Sequence, residues 1–288
     1  DKSRGVNWRF VYTPETPGRY LLKVRPVTED GEPSALVAGF AFEALPAGGT
    51  YGDARIRAVG GSFKDARIFR SRELSNLTGE EAAFLSGALG IATIYDLRTA
   101  AEVAAHPEPY IVGMRTVALE PSTEHRRKDS DKRLIAGVIE RYGEPEERMC
   151  ANYRRYVREY PLVGQALRSM AAEGRPALIH CVNGKDRTGV LCATLLRATG
   201  ADEDAIMEDY LRVNADHADL IAEEAAHLDG GMTDHERAIL LSFLEARPAY
   251  LRAYFDEIDR LYGSFATYLR EGLHLTPEAI ESLRALVA

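Results

Sequence analysis

Apolar residues near the start of the chain alternate and bunch at strand spacing. Three runs, Trp8–Tyr12, Tyr20–Val27 and Ala35–Phe42, are parted by the turn-forming stretches Thr13–Gly18 and Glu29–Pro33. This predicts a small β unit over residues 1–46. Leu45–Gly61 carries five glycines and little periodicity, so it reads as an entry loop to a larger part, with the boundary near Pro46. From Ala66 the pattern changes to strands alternating with helices. Strands are expected at Ile68–Phe69, Ala92–Leu97, Thr116–Leu119 and Ala177–His180, with helices over about Thr78–Leu89 and Asn152–Glu173. Thr78-Gly-Glu-Glu ahead of an apolar run is a helix start with its cap and early acids. After residue 190 the chain reads as helical: Val190–Thr199, Asp202–Val213, Ala218–His227, Asp234–Glu245, Pro248–Tyr262, Phe265–Gly272 and Pro277–Val287. The expected class is α/β, with a helical C-terminal half and a small N-terminal β unit.

Composition narrows the function classes. The 288 residues are 45% hydrophobic and 28% charged, and no uncharged apolar window reaches membrane-spanning length, so a soluble chain is expected, cytoplasmic or secreted. A net charge of -8 argues against a nucleic-acid partner, because binding polyphosphate needs a basic surface. Three cysteines, Cys150, Cys181 and Cys192, lack CxxC or Cys/His spacing and indicate neither a disulfide framework nor a zinc site. Cys192 reads as a buried helix residue. Cys150 is a candidate for a reversible disulfide with Cys181, provided their α-carbons come within about 7 Å.

The chemistry concentrates in His180-Cys-Val-Asn-Gly-Lys-Asp-Arg-Thr-Gly, which joins an apolar strand to a helix. Cys181 and Arg187 bracket five residues, Val182, Asn183, Gly184, Lys185 and Asp186, able to curl with their N–H groups aimed at one phosphate. The helix N-terminus favours both a bound anion and the Cys181 thiolate. Arg187 offers a planar fork for two phosphate oxygens, and Thr188 is suited to hydrogen-bond the sulfur as it leaves. Lys185 adds positive charge beside the phosphate, and His180 anchors the loop. No cofactor and no metal is expected.

This loop resembles that of the bacterial atypical protein tyrosine and lipid phosphatases. Ile68-Phe-Arg-Ser-Arg-Glu-Leu, Asp96-Leu-Arg, Asp209-Tyr-Leu-Arg-Val-Asn, Arg247-Pro-Ala-Tyr-Leu, Tyr262-Gly-Ser and Tyr268-Leu-Arg are similar to the family's other landmarks, in its order, across about residues 66–288. The resemblance implies a cysteine-phosphatase fold with a central, mostly parallel sheet flanked by helices, a catalytic domain at 47–288, metal-free hydrolysis through a phosphocysteine, and substrates among phosphotyrosine, phosphoserine or phosphothreonine proteins and phosphoinositides. It also implies a helical lid, here within about 216–245. There His217, Asp219, Glu223, Glu224, His227 and Asp229 read as a solvated helix face.

Two departures stand out. The family's Asn-Phe-Arg-Asp-Leu-Gly-Gly-Tyr-like segment is replaced by Gly48-Gly-Thr-Tyr-Gly-Asp and Gly60-Gly-Ser-Phe. Where an aspartate general acid is usual, Leu119-Glu-Pro-Ser-Thr-Glu offers Ser122. A positioned acid contributes roughly 10²- to 10⁴-fold, so a donor is required. The candidates are Asp186, then Glu120 or Glu124, with Asp129 and Asp131 more distant. Asp96, Arg98 and Arg70 are assigned to bracing the loop, and Arg70 has the option of reaching substrate. His125-Arg-Arg-Lys reads as a solvated loop or a site of attraction for acidic substrates. The alternative to the enzyme is a pseudophosphatase that binds phosphorylated partners.

Overall fold

In the computed structural model the described residues are 18–25, 27, 30–33, 38–44, 49–61, 63, 65–119, 144, 146–228 and 233–287. The chain separates into two units, Asp1–Pro46 and Ala47–Ala288. In the first, β1 (Gly18–Val24) and β2 (Ala38–Ala44) form an antiparallel hairpin in register from Gly18 opposite Ala44 to Val24 opposite Ala38. The strand expected at Trp8–Tyr12 lies outside the described residues.

The second unit is built on a five-stranded sheet of β3 (Arg57–Ala58), β4 (Ile68–Ser71), β5 (Thr93–Asp96), β6 (Arg115–Ala118) and β7 (Ala177–His180). The order is β3-β4-β7-β5-β6; β3 runs antiparallel to β4 and the other pairings are parallel. Strand β7 therefore lies centrally, where both its faces are covered, and Ala177, Leu178, Ile179 and His180 are all buried. Residues of alternating parity serve opposite cores. Ile68, Tyr95 and Ile179 join the larger cluster, whereas Phe69, Ile94 and Leu178 join a smaller one with Phe63 and Phe84.

The helices are α1 (Gly79–Ala83), continued by a π-turn over Phe84–Ala88, α2 (Ala100–Ala105), α3 (Glu147–Glu159), α4 (Leu162–Glu173) and α5 (Asp186–Thr199). They continue with α6 (Glu203–Asp216), α7 (Ala218–Leu228), α8 (Asp234–Leu244), α9 (Pro248–Tyr262), α10 (Phe265–Thr267) with its π-turn to Gly272, and α11 (Pro277–Val287). The α/β architecture and helical C-terminal half match expectation. The single helix expected over Asn152–Glu173 is instead two, α3 and α4, because Pro161 supplies no N–H and disfavours helical geometry at Tyr160, whose φ and ψ are -117° and 74°. Helix α5 is apolar nearly all round, with Val190, Leu191, Cys192, Ala193, Leu195 and Leu196 buried, as befits a helix covered on every side.

Candidate active site

Parallel pairing sets the site. Ser71 of β4, His180 of β7 and Asp96 of β5 lie in register at the carboxyl ends of neighbouring strands, the edge at which parallel sheets present their ligand-binding loops. The chain leaves β7 through Cys181 and turns into α5 at Asp186, so Cys181 and Arg187 sit at opposite ends of one short loop capped by a helix N-terminus. Gly184 makes the turn. Its φ is +62°, and a Cβ there would stand 2.3 Å from the Ser71 carbonyl oxygen. Only glycine fits both the backbone angle and that approach.

Arg187 is 6% exposed and fully engaged on one side. Nη1 donates to Glu102 Oε2 at 2.7 Å and to the Leu97 carbonyl at 2.9 Å, and Nη2 donates to Glu102 Oε1 at 2.9 Å. Burial would lower the Arg187 pKa, but the Cys181 sulfur and the Glu102 carboxylate outweigh it and raise it. Burial likewise pushes the Glu102 carboxyl up, and its bonds to Arg187 and Thr99 bring it below the ordinary value. Sequence reasoning missed Glu102. It has a second task as the N3 member of the Thr99–Glu102 capping box that starts α2. That Thr-x-x-Glu spacing was the available signal.

Arg70 braces the loop from β4. Its Nη2 donates to the Gly184 carbonyl at 2.7 Å, and its Nη1 to Asp209 Oδ2 at 2.9 Å. Asp209 also takes Nη1 of Arg57 on Oδ1 at 2.6 Å, and Arg57 Nε meets Asp216 at 2.8 Å. Burial would raise Asp209, yet the two arginines hold it below the usual carboxylate range. Asp209 and Arg57 were therefore site-supporting residues that sequence alone signalled only through the Asp209-Tyr-Leu-Arg motif.

On the far side, Arg98 pairs with Asp96 through Nε at 3.0 Å and Nη2 at 2.9 Å, and reaches Glu73 at 3.3 Å and Glu108 at 3.0 Å. The pair stands behind the loop, with its neighbour Leu97 supplying the carbonyl to Arg187. His180 is wholly buried; Nδ1 lies 3.3 Å from the Cys181 carbonyl, and Nε2 has no hydrogen-bond partner. Asp96, Glu108 and His180 bring potential ligand atoms within 4.8 Å of one another, the metal-type cluster found among the described residues. Arg98 already supplies the positive charge between those carboxylates.

Lys185 departs from expectation. Its ammonium is buried against the C-terminus of α8, donating to the Phe243 carbonyl and to the Glu245 carbonyl at 3.2 Å, where the helix dipole is negative. It lies 3.6 Å from Asp186 Oδ1. Asp186 Oδ1 accepts from the Tyr153 hydroxyl at 2.8 Å, which itself meets the Tyr210 hydroxyl at 2.8 Å. The Thr188 hydroxyl is buried without a hydrogen-bond partner, so the expected bond to the sulfur is not formed. Val182 and Asn183 lie on the loop, and the Val182 carbonyl accepts from the Glu73 N–H at 3.0 Å. Glu120, Glu124, Asp129, Asp131 and His125–Lys128 lie outside the described residues.

The three cysteines are free, and Cys150 directs its thiol to the Ala249 carbonyl at 3.7 Å, so no Cys150–Cys181 disulfide is present. Burial pushes Cys192 up to about 12. His217 does not lie on a solvated face as expected. It is buried at the end of α6, and burial together with Arg72, Arg70, Arg55 and Arg57 lowers it to about 3. Asp219, Glu223 and Glu224 are exposed on α7; the His227 side chain and Asp229 lie outside the described residues.

A Cys-x5-Arg loop at the carboxyl edge of a parallel sheet, with its arginine held by a carboxylate, defines a phosphatase of the cysteine-loop class. A profile of the tyrosine phosphatase family matches residues 51–288. The triple specificity protein phosphatase PtpB of Mycobacterium tuberculosis is 32% identical over 240 residues, covering 73% of this chain and 87% of that protein. The chain belongs to the tyrosine phosphatase family and is a tyrosine-phosphatase-type hydrolase. Among solved structures, P. aeruginosa TpbA is 19% identical, covering 68% of this chain and 97% of that chain at a TM-score of 0.33. The core catalytic domain of the S. cerevisiae PP-IP phosphatase SIW14 is 16% identical, covering 65% of this chain and 85% of that chain, at 0.31. No helix among the described residues is long and apolar enough to cross a membrane.

Proposed function

We propose that the protein hydrolyses phosphate monoesters through a phosphocysteine, with phosphotyrosine the principal substrate and phosphoserine, phosphothreonine and phosphoinositides as further ones. The observation that carries this is Arg187 held by Glu102 and Leu97 at one end of a glycine-turned loop whose other end is Cys181. The triple specificity of PtpB supports the breadth of substrate.

In this reading Cys181 attacks phosphorus in line while the alkyl or aryl oxygen leaves. Arg187 and the N–H groups from Val182 to Arg187 hold the three non-reacting oxygens, the first-turn N–H groups of α5 having no acceptor of their own within the helix. Asp186 gives the leaving oxygen its proton. Tyr153 fixes one carboxyl oxygen, and among the described residues Oδ2 has no hydrogen-bond partner, which suits a donor at the loop mouth. Water then attacks the phosphocysteine, releasing inorganic phosphate and the sulfur, with Thr188 turning its unengaged hydroxyl to that sulfur. His180, Arg70, Asp96 and Arg98 support the loop from the strand ends. Helices α7 and α8 act as the lid.

Hydrolysis of an activated aryl phosphate in the presence of chelator, by wild type and Cys181→Ser, tests the reading. Turnover confined to the wild type supports it; negligible rates in both, with phosphopeptide binding retained, establish the binding module instead. Asp186→Asn should flatten the acidic-to-neutral pH profile, most for poor leaving groups, and an unaltered profile excludes Asp186 as the donor.

A further inference from the structure

Beside the phosphate loop lies a second cleft, of about 270 Å³, lined by Asp53, Arg55, Arg72, Ser75, Asn76 and Leu220 among others. It shares a wall with the catalytic site. The Ser71 carbonyl packs against Gly184, the Glu73 N–H bonds the Val182 carbonyl, and Arg72 between them lines the cleft. Arg72 thus stands in the chain between two residues whose backbones touch the phosphate loop.

Most of the charges around the cleft are paired, and one arginine is not. Arg57 and Arg70 are spoken for by Asp209 and Asp216, and Glu73 by Arg98 and His106. Arg55 shares a carboxylate of exposed Asp219, and its Nε is shielded from water without an acceptor. Among the described residues the Arg72 guanidinium has neither a hydrogen-bond nor an ion-pair partner. The depression of buried His217 toward about 3, caused by burial and then by Arg72, Arg70, Arg55 and Arg57, is consistent with that convergence of positive charge. Two arginines and two acids line the cleft, so what distinguishes it is the Arg72 guanidinium with free donors, the side chain suited to a phosphate. Ser75 and Asn76 add neutral hydroxyl and amide groups, complements to ring hydroxyls.

We propose that this cleft is a second phosphate subsite, taking a further phosphate of a polyphosphorylated polyol whose reacting phosphate occupies the Cys181–Arg187 loop. The proposal rests on the phosphatase reading. A small ring carrying two phosphates suits it, because the residues on either side of Arg72 are backbone neighbours of the phosphate loop and Ser75 and Asn76 offer partners for ring hydroxyls. Asp53 is exposed at the rim and opposes the bound anion.

The test compares kcat/KM for a soluble inositol bisphosphate with that for para-nitrophenyl phosphate. Arg72→Ala and Arg55→Gln should each lower the ratio of bisphosphate to monophosphate about tenfold, the loss of one partly solvated charge-assisted hydrogen bond, and Asp53→Asn should raise it. Ratios unchanged in all three variants overturn the subsite. A doubly phosphorylated peptide that shows the loss while the inositol bisphosphate does not overturns the assignment to a polyol. Calorimetric binding of the inositol bisphosphate to Cys181→Ser, with and without Arg72→Ala, separates this idea from its premise. If wild type turns over neither substrate the phosphatase reading fails, and dependence of binding on Arg72 still decides the subsite.

Discussion

Glu102→Gln asks whether the carboxylate beneath Arg187 is a helix cap or a device that aims the guanidinium. Glutamine keeps the shape and still serves a capping box, so α2 should start as before. The charge is lost. Of the two bonds to Arg187, at 2.7 and 2.9 Å, one can be remade by the amide oxygen and the other meets an amide donor that repels it. A hydrogen bond to a charged group contributes about 1.5–3 kcal/mol. The Glu102 side chain is 27% exposed, which places the loss toward the lower end through solvent screening. About 1.5–2 kcal/mol is a fall of about 10- to 30-fold in kcat.

Three measurements decide: kcat on an aryl phosphate, the inhibition constant for inorganic phosphate, and the melting temperature. Glu102→Gln should lose kcat and phosphate affinity with little change in melting, and Glu102→Ala should lose the same activity and melt lower, since Thr99 N–H then loses its acceptor at 2.8 Å. Wild-type kcat and phosphate affinity in the glutamine variant would show that Glu102 is a cap alone.

Asp209→Asn leaves Arg57 and Arg70 short of a buried counter-charge, and removal of one partner from such a cluster costs about 3–5 kcal/mol, read by denaturant unfolding. Because Asp209 is held below its unfolded value, its contribution is complete above that value and is lost as pH falls through the folded one, so wild type and variant should converge in strong acid. Gly184→Ala should fold with the sheet intact and lose phosphate affinity at least tenfold, since the left-handed angle costs about 1–2 kcal/mol before the contact with Ser71 is relieved; an alanine variant with wild-type phosphate affinity refutes the tight turn. Lys185→Met removes the cation from the last carbonyls of α8 and should speed proteolysis between α7 and α9; unchanged cleavage shows that the helix is held by other contacts.

Local features were legible in the sequence and distant pairings were not. The strand-loop-helix, its C-x5-R spacing and Gly184 lie within ten residues, so pattern and chemistry agree over a span that needs no tertiary information. Glu102 and Arg187 are 85 residues apart, and Arg57 and Asp209 are 152 apart. Nothing in either neighbourhood announces its partner. The missed break at Tyr160–Pro161 differs in kind: the proline was in view, but apolar spacing continued on both sides of it. Lys185 was assigned to the phosphate on charge alone, and the negative end of α8 competes for the same ammonium.

Each arginine around the loop carries its own answer to the cost of burial. Arg98 has Asp96, Arg57 and Arg70 share Asp209, and Arg187 has Glu102, so most of the buried positive charge is balanced before a substrate arrives. The carboxylates hold the guanidiniums in place, and all four guanidiniums also bind backbone carbonyls of the framework: Arg57 those of Ala58 and Asp209, Arg70 that of Gly184, Arg98 that of His106, and Arg187 that of Leu97. In the proposed mechanism, phosphate selectivity at the loop then follows from fixed N–H directions and the remaining donors of one oriented fork. This is why substitution of Glu102 or Asp209 should alter the site without removing any group that touches phosphorus, and why Arg72, which has no such carboxylate among the described residues, stands apart as a cation left to an external anion.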